Sequence, residues 1–138
     1  MYYYIILLFL SKDISWAIDI NFMAFGFFAY DTVYSTITDD FNKYAKENGI
    51  DIKVNLFLFS LQNTTGFLGD YDSTVDFLLH RKTKKYDLFL YDSANTARYH
   101  NYFEDLSGVY PKEFFEKFNE NADKITIYKN KRVALVSI

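Results

Sequence analysis

The chain has 138 residues, half of them hydrophobic and 21% aromatic, which is one modest domain with ample core material and excludes an intrinsically disordered chain. A formal net charge of −3, with Arg81-Lys82-Thr83-Lys84-Lys85 as the one dense basic run, excludes a nucleic-acid footprint; that run suits the solvated last turn of a helix, where cations complement the dipole. No cysteine is present, which removes disulfides, thiolate chemistry and cysteine metal sites together.

Residues 2–10, Tyr-Tyr-Tyr-Ile-Ile-Leu-Leu-Phe-Leu, form an unbroken apolar run of nine. A bilayer span takes about 20 residues, so this run is too short to cross one. It matches the apolar part of a secretory signal, and Ser15-Trp16-Ala17 supplies the small residues of a cleavage site. Residues 1–17 are therefore expected to be a signal peptide, with the mature chain beginning at Ile18. The usual basic N-terminal region is missing, and a buried first strand is the other reading of the same run. Asn63-Thr64-Thr65 is a glycosylation sequon compatible with export.

From Ile18 the hydrophobic period switches repeatedly. Residues 18–25 alternate and then become continuously apolar, as in a buried strand that Gly26 ends. Asp31 can cap a helix in which Val33, Ile37, Phe41, Tyr44 and Ala45 recur at three- and four-residue steps, and Asn48-Gly49 stops it. Residues 50–59 are a second strand with Ile50, Ile52, Val54 and Leu56 on one face. A polar loop over residues 60–70 follows. Ser73 and Asp76 then approximate a capping box for a second helix with Val75, Leu78 and Leu79 as its stripe. Residues 86–91 are a short buried strand and residues 95–103 a helix. Pro111 heads a further helix whose buried side is Phe114, Phe115 and Phe118, and residues 132–138 close the chain as a strand after an Asn130-Lys131 turn.

Strands alternating with helices at this spacing argue right-handed crossovers and an α/β fold of three layers, α-β-α, with a mostly parallel sheet. The ordered set IDINFMAF, FNKYAKENGI, IDIKVNLF, STVDFLLHRKTKK, YDLFLYD, YFEDLSGVYPKEFFEKF and NKRVALVSI carries a family likeness. Over residues 18–138 it resembles the N-terminal lobe of the type 2 periplasmic binding proteins, the extracellular solute-binding proteins of the maltose-binding kind. The resemblance implies a periplasmic-binding-protein-like II lobe that is incomplete here, since such proteins hold their ligand between two lobes. It also implies a small solute, sugar-like, as ligand. A membrane transporter or a receptor's transmembrane region is the implied partner, with location outside the cell or on the outer face of its membrane.

In a parallel sheet a ligand sits at the carboxyl ends of the strands. Here those mouths are residues 26–31, 60–70 and 92–95. Asp92, Ser93 and Asn95 can hydrogen-bond hydroxyls, Phe28 or Tyr30 can offer a flat apolar face, and Asp31 stands beside them; together they suit a small polar solute. Each has a plainer role: Asp92 and Asn95 as helix caps, Phe27 and Phe28 as core or interface filler. His80 and His100 have no carboxylate companions at metal-ligand spacing, and no cofactor or metal site is expected.

Catalysis is not expected. G-x-x-x-x-G-K-[ST] and G-x-S-x-G are both missing from the sequence. The rival enzyme class is a cytoplasmic receiver-like phosphotransfer domain, because Tyr86-Asp87-Leu88-Phe89-Leu90-Tyr91-Asp92 resembles the strand that delivers a phospho-accepting aspartate. That chemistry needs acidic residues after the first strand to hold Mg²⁺, and Phe25-Gly26-Phe27-Phe28 has none. An exported interaction module that binds no solute is the third reading.

Overall fold

The structure, a computed structural model, describes residues 18–26, 30–60, 63, 68–118 and 120–135. The expected signal peptide lies outside these residues. Three strands, β1 (Ile18–Gly26), β2 (Ile52–Ser60) and β3 (Leu88–Phe89), form an all-parallel sheet in the order β2-β1-β3. Two long helices supply the crossovers, α1 (Tyr30–Glu47) and α2 (Leu68–His80).

The pleat of β1 sorts its residues between two layers. Met23 and Phe25 face α2 and join Tyr71, Val75, Leu79, Tyr86 and Tyr99 in the main buried cluster. Phe22 faces the other way and meets Tyr34 of α1 edge-on at 6.4 Å. The sheet is thus sandwiched between α1 and α2, the α-β-α arrangement expected. Met23, Val75 and Tyr99 are fully buried side chains, each contributing about 1.5–3 kcal/mol of apolar burial.

Both long helices end in the same turn. After α1, Ile50 N–H donates to the Ala45 carbonyl at 2.9 Å across Gly49, whose φ of +66° is the left-handed geometry glycine tolerates best. After α2, Lys82 takes that left-handed place at φ +50°, with Lys82 and Thr83 N–H donating to Leu79 and Leu78 carbonyls. The basic run therefore lies just beyond the helix, not in its last turn.

The outer edge of β2 is closed by side chains. The Asn42 amide pairs with both the N–H and the carbonyl of Val54, at 2.8 and 2.9 Å. Asn63 accepts from Ser60 N–H and donates to the Leu58 carbonyl at similar distances. Side-chain amides thus stand in for a neighbouring strand and blunt the edge against further pairing.

The second half is built from short pieces. A 3₁₀ turn at Ser93–Asn95 leads into α3 (Thr96–Tyr99), far shorter than the helix expected to reach Phe103. A second 3₁₀ turn occupies Leu106–Gly108, and α4 (Lys112–Phe115) and α5 (Glu120–Lys124) follow. Strands β4 (Ile127–Tyr128) and β5 (Lys131–Arg132) then pair antiparallel as a separate ribbon. Three expectations are corrected here. Pro111 precedes α4 with an extended ψ of 152° and does not open it. The hairpin turn is Lys129-Asn130, both at positive φ as a type I′ turn requires, so the strand begins one residue earlier and among the described residues spans Lys131–Arg132; residues 136–138 of the expected strand lie outside them. α2 begins at Leu68, five residues ahead of Ser73, because the Tyr71-Val75-Leu79 stripe buries that earlier turn.

Arg132 ties this half together. Its guanidinium forks onto both oxygens of Asp123, donates to Thr126 Oγ1 at 3.0 Å and stacks on the Phe115 ring at 3.9 Å. The two side chains are only 11% and 20% exposed, so the pair is largely shielded from water. The Arg132 bonds hold the Asp123 carboxyl below its ordinary value of 3.8. Because the folded value is the lower one, this pair stabilises fully above the unfolded carboxyl's range, and its contribution fades as pH falls through the folded value. Replacing Arg132 with Ala is expected to cost about 3 kcal/mol in urea unfolding at neutral pH. Asp123→Asn is expected to flatten part of the stability loss below the ordinary aspartate range; an unchanged acid limb would contradict the assignment.

Candidate functional site

Because β1, β2 and β3 run parallel, their carboxyl ends Gly26, Ser60 and the segment after Phe89 lie on one rim of the sheet. The first mouth leads from Gly26 to α1. Phe28 lies outside the described residues. Tyr30 opens α1 and Asp31 is its second residue, so Asp31 is not the helix cap expected from the sequence.

The second mouth turns on Asn63, whose amide bridges Ser60 and Leu58 and so fixes where the chain leaves β2. Ser60 is buried at this exit. A shallow depression lined by Phe57, Leu58, Phe59 and Asn63 opens beside it. The sequon's Thr64 and Thr65 are outside the described residues.

The third mouth is the best defined. Asp92 caps the 3₁₀ turn, its Oδ1 accepting from Ala94 N–H at 2.8 Å, and its carbonyl accepts from Asn95 N–H at 2.8 Å. The plainer role weighed for Asp92 is therefore real. The cap occupies Oδ1, and the Asp92 side chain is otherwise exposed. Asn95 stands at the start of α3 without a side-chain capping bond, and Ser93 is exposed between them. The structure thus groups Asp92, Ser93 and Asn95 in one turn.

Anchors on three sides hold this turn. Thr96 Oγ1 donates to the Ile125 carbonyl at 3.1 Å, Tyr99 donates to the Asp72 carbonyl at 3.0 Å, and His100 packs on the Tyr128 ring at 4.4 Å. Under the rim, the Tyr71 hydroxyl lies between the Leu90 and Met23 carbonyls, at 2.6 and 3.2 Å. It joins α2 to the ends of β3 and β1. Burial, reinforced by neighbouring Asp72, pushes that hydroxyl far above the ordinary phenol range, so it remains a donor. Burial likewise raises Tyr91, which stacks on Phe103 at 5.4 Å, with Thr96 partly offsetting the shift.

Tyr71 and Thr96 are supports that sequence reasoning passes over. The signal for Tyr71 was available, since it heads the four-residue steps to Val75 and Leu79; Thr96 gave none, because its partner is a main-chain carbonyl far along the chain. His80 does have a carboxylate neighbour, Asp76 at 3.5 Å, but Asp76 pairs with Arg98 at 2.7 Å. Among the described residues no three His, Asp or Glu side chains converge as a metal site would need.

Comparison with solved structures agrees with this parallel α/β arrangement in fold. The chain is similar to maltose-bound MalE3 of T. maritima, with a TM-score of 0.67 and 18% identity over 86% of this chain. It is similar also to an ABC substrate-binding protein of Listeria monocytogenes in complex with cycloalternan, with a TM-score of 0.60 and 18% identity over 83% of this chain. The matches span 28% and 27% of those proteins, so this chain corresponds to about a quarter of their length. The sequence matches no family model and no curated protein. The fold is accordingly a mixed α/β unit with a mostly parallel sheet, similar to part of a solute-binding protein.

Tyr71→Phe is expected to lower stability by about 1–2 kcal/mol, since it strips a donor from buried carbonyls while keeping the ring. Urea unfolding reads the loss. Amide exchange at Leu90, whose N–H bonds to Met23, is expected to quicken with it.

Proposed function

We propose that this chain holds a small polar solute, a sugar, along the rim where β1, β2 and β3 end, and does so without transforming it. On this reading it is part of an exported solute-binding protein that serves a membrane transporter or forms a receptor's outer domain. The observation that carries the reading is the shared direction of the three strands, which brings three loop mouths to one side of the sheet. The structural neighbours, one bound to maltose and the other to cycloalternan, support a saccharide over other polar solutes.

The chemistry follows from the third mouth. A sugar hydroxyl donates well to a carboxylate oxygen, and such charge-assisted bonds are roughly twice as strong as neutral ones. Asp92 Oδ2 is that acceptor, while Ser93 and Asn95 offer a hydroxyl and an amide within the same turn. Phe28 and Tyr30, from the first mouth, would supply the apolar face that the ring C–H groups need. A rim whose turn is already held by Thr96 and Tyr99 loses little freedom when the ligand binds.

Calorimetric titration with maltose, cycloalternan and related oligosaccharides is expected to give heat with at least one of them. Asp92→Asn keeps an amide oxygen for the cap but removes the charge. It is expected to preserve thermal stability while weakening binding about tenfold. No heat with any saccharide, or equal affinity in the variant, would refute the site as drawn.

A further inference from the structure

The dense basic run has no part in the core or the rim. Arg81, Lys82, Lys84 and Lys85 follow directly on α2, and all four are exposed. They are held in a set turn: Lys82 and Thr83 N–H donate to the Leu79 and Leu78 carbonyls, and Thr83 Oγ1 donates to Leu78 as well, at 3.3 Å. Buried Tyr86 anchors the far end, with the Lys85 ammonium 5.1 Å from its ring centre. Just before the turn, Phe77 stands 55% exposed on α2 with the Arg81 guanidinium 5.0 Å from its ring centre.

These cations lack counter-charges. Among the described residues the ion pairs use His80, Arg98, Lys124 and Arg132 as their cations, never this run. The nearest carboxylate along the chain, Asp87, is turned onto the Asn21 N–H at 2.8 Å. In a chain of net charge −3, four positive charges therefore stand together within one turn. Charges so placed resist burial against an apolar neighbour; they meet water or an anionic partner. Their position is equally defined. α2 returns from the carboxyl end of β2 to the start of β3, so the run lies at the opposite end of the sheet from the rim.

We propose that Phe77 and this basic turn form a docking surface for an anionic phospholipid membrane. Three of the four cations are lysines, flexible point charges suited to a diffuse layer of headgroup phosphates; a fixed pattern of carboxylates is met better by the planar fork of arginine. An exposed aromatic ring beside a polybasic cluster is the combination that settles at headgroup level. Each Lys or Arg close to such a surface is worth about fivefold in binding. Docked this way, the chain turns its rim away from the lipid, so membrane contact does not compete with a ligand held there.

Co-sedimentation of the full chain with vesicles tests this. At about 50 mM NaCl and about 1 mM lipid, the chain is expected to pellet with vesicles of equal parts phosphatidylglycerol and phosphatidylcholine. It is expected to stay in solution with phosphatidylcholine alone, and to be released from the anionic vesicles by about 500 mM NaCl. Lys84→Gln combined with Lys85→Gln is expected to weaken binding about 25-fold with an unchanged far-ultraviolet spectrum. Lys112→Gln combined with Lys117→Gln makes the same charge change at exposed positions outside the patch, and is expected to keep binding within about twofold. Equal loss in the two double variants, or equal binding to both vesicle types, would overturn the proposal. Capture of polyglutamate or single-stranded DNA without vesicle binding would assign the patch to a different polyanion and overturn it too.

Discussion

β1 is the strand on which everything else is laid, because among the described residues it alone is paired along both edges, and it is covered on both faces. A parallel sheet tolerates little exposure of either face. Alternation along β1 settles the two layers in one step: Met23 and Phe25 demand α2, Phe22 demands α1. The Tyr71 hydroxyl then fastens α2 to main-chain carbonyls of β1 and β3 at the rim end of the sheet. Rim position and core packing are therefore coupled through a single side chain.

The two faces are not equally served. On the α2 side the aromatic cluster of Tyr71, Tyr86, Tyr91, Tyr99 and Phe103 closes over the strands, with Phe25 and Phe59 meeting the Tyr71 ring at 5.3 and 5.9 Å. On the α1 side the one helix packs chiefly on β2 and leaves Ile18 and Leu88 about half exposed. The same imbalance explains why an 18-residue helix can keep a row of large apolar side chains outside while its inward line holds Thr38 and Ala45.

The C-terminal half contributes rigidity to the rim more than it contributes layers. Arg132, held between Asp123, Thr126 and Phe115, fixes the β4-β5 ribbon, and Thr96 and His100 lean on that ribbon through Ile125 and Tyr128. The turn of Asp92, Ser93 and Asn95 is thus braced from behind. Asp105 gives a similar brace, accepting from Ser107 and from Arg132 N–H, bonds that keep its carboxyl low, those to Ser107 most strongly. Preorganisation of this kind suits recognition of a flexible polar ligand.

The parallel α/β class and the succession of the first three strands along the chain could be read from residues 18–91, because hydrophobic period is a local property; the order of the strands within the sheet and the faces of β1 came from the structure. The grouping of Asp92, Ser93 and Asn95 was equally local, being one turn of chain. Tertiary structure decided the rest. It turned Val33, Ile37, Phe41 and Tyr44 outward, since helical periodicity marks a stripe without saying which side meets the sheet. Among the described residues it confined the last strand to Lys131–Arg132, paired with Ile127–Tyr128 across the left-handed Lys129-Asn130 turn. It alone placed Tyr71, Asn42 and Asn63 on main-chain groups: such bonds depend on where a distant backbone lies, and residue type does not encode that position.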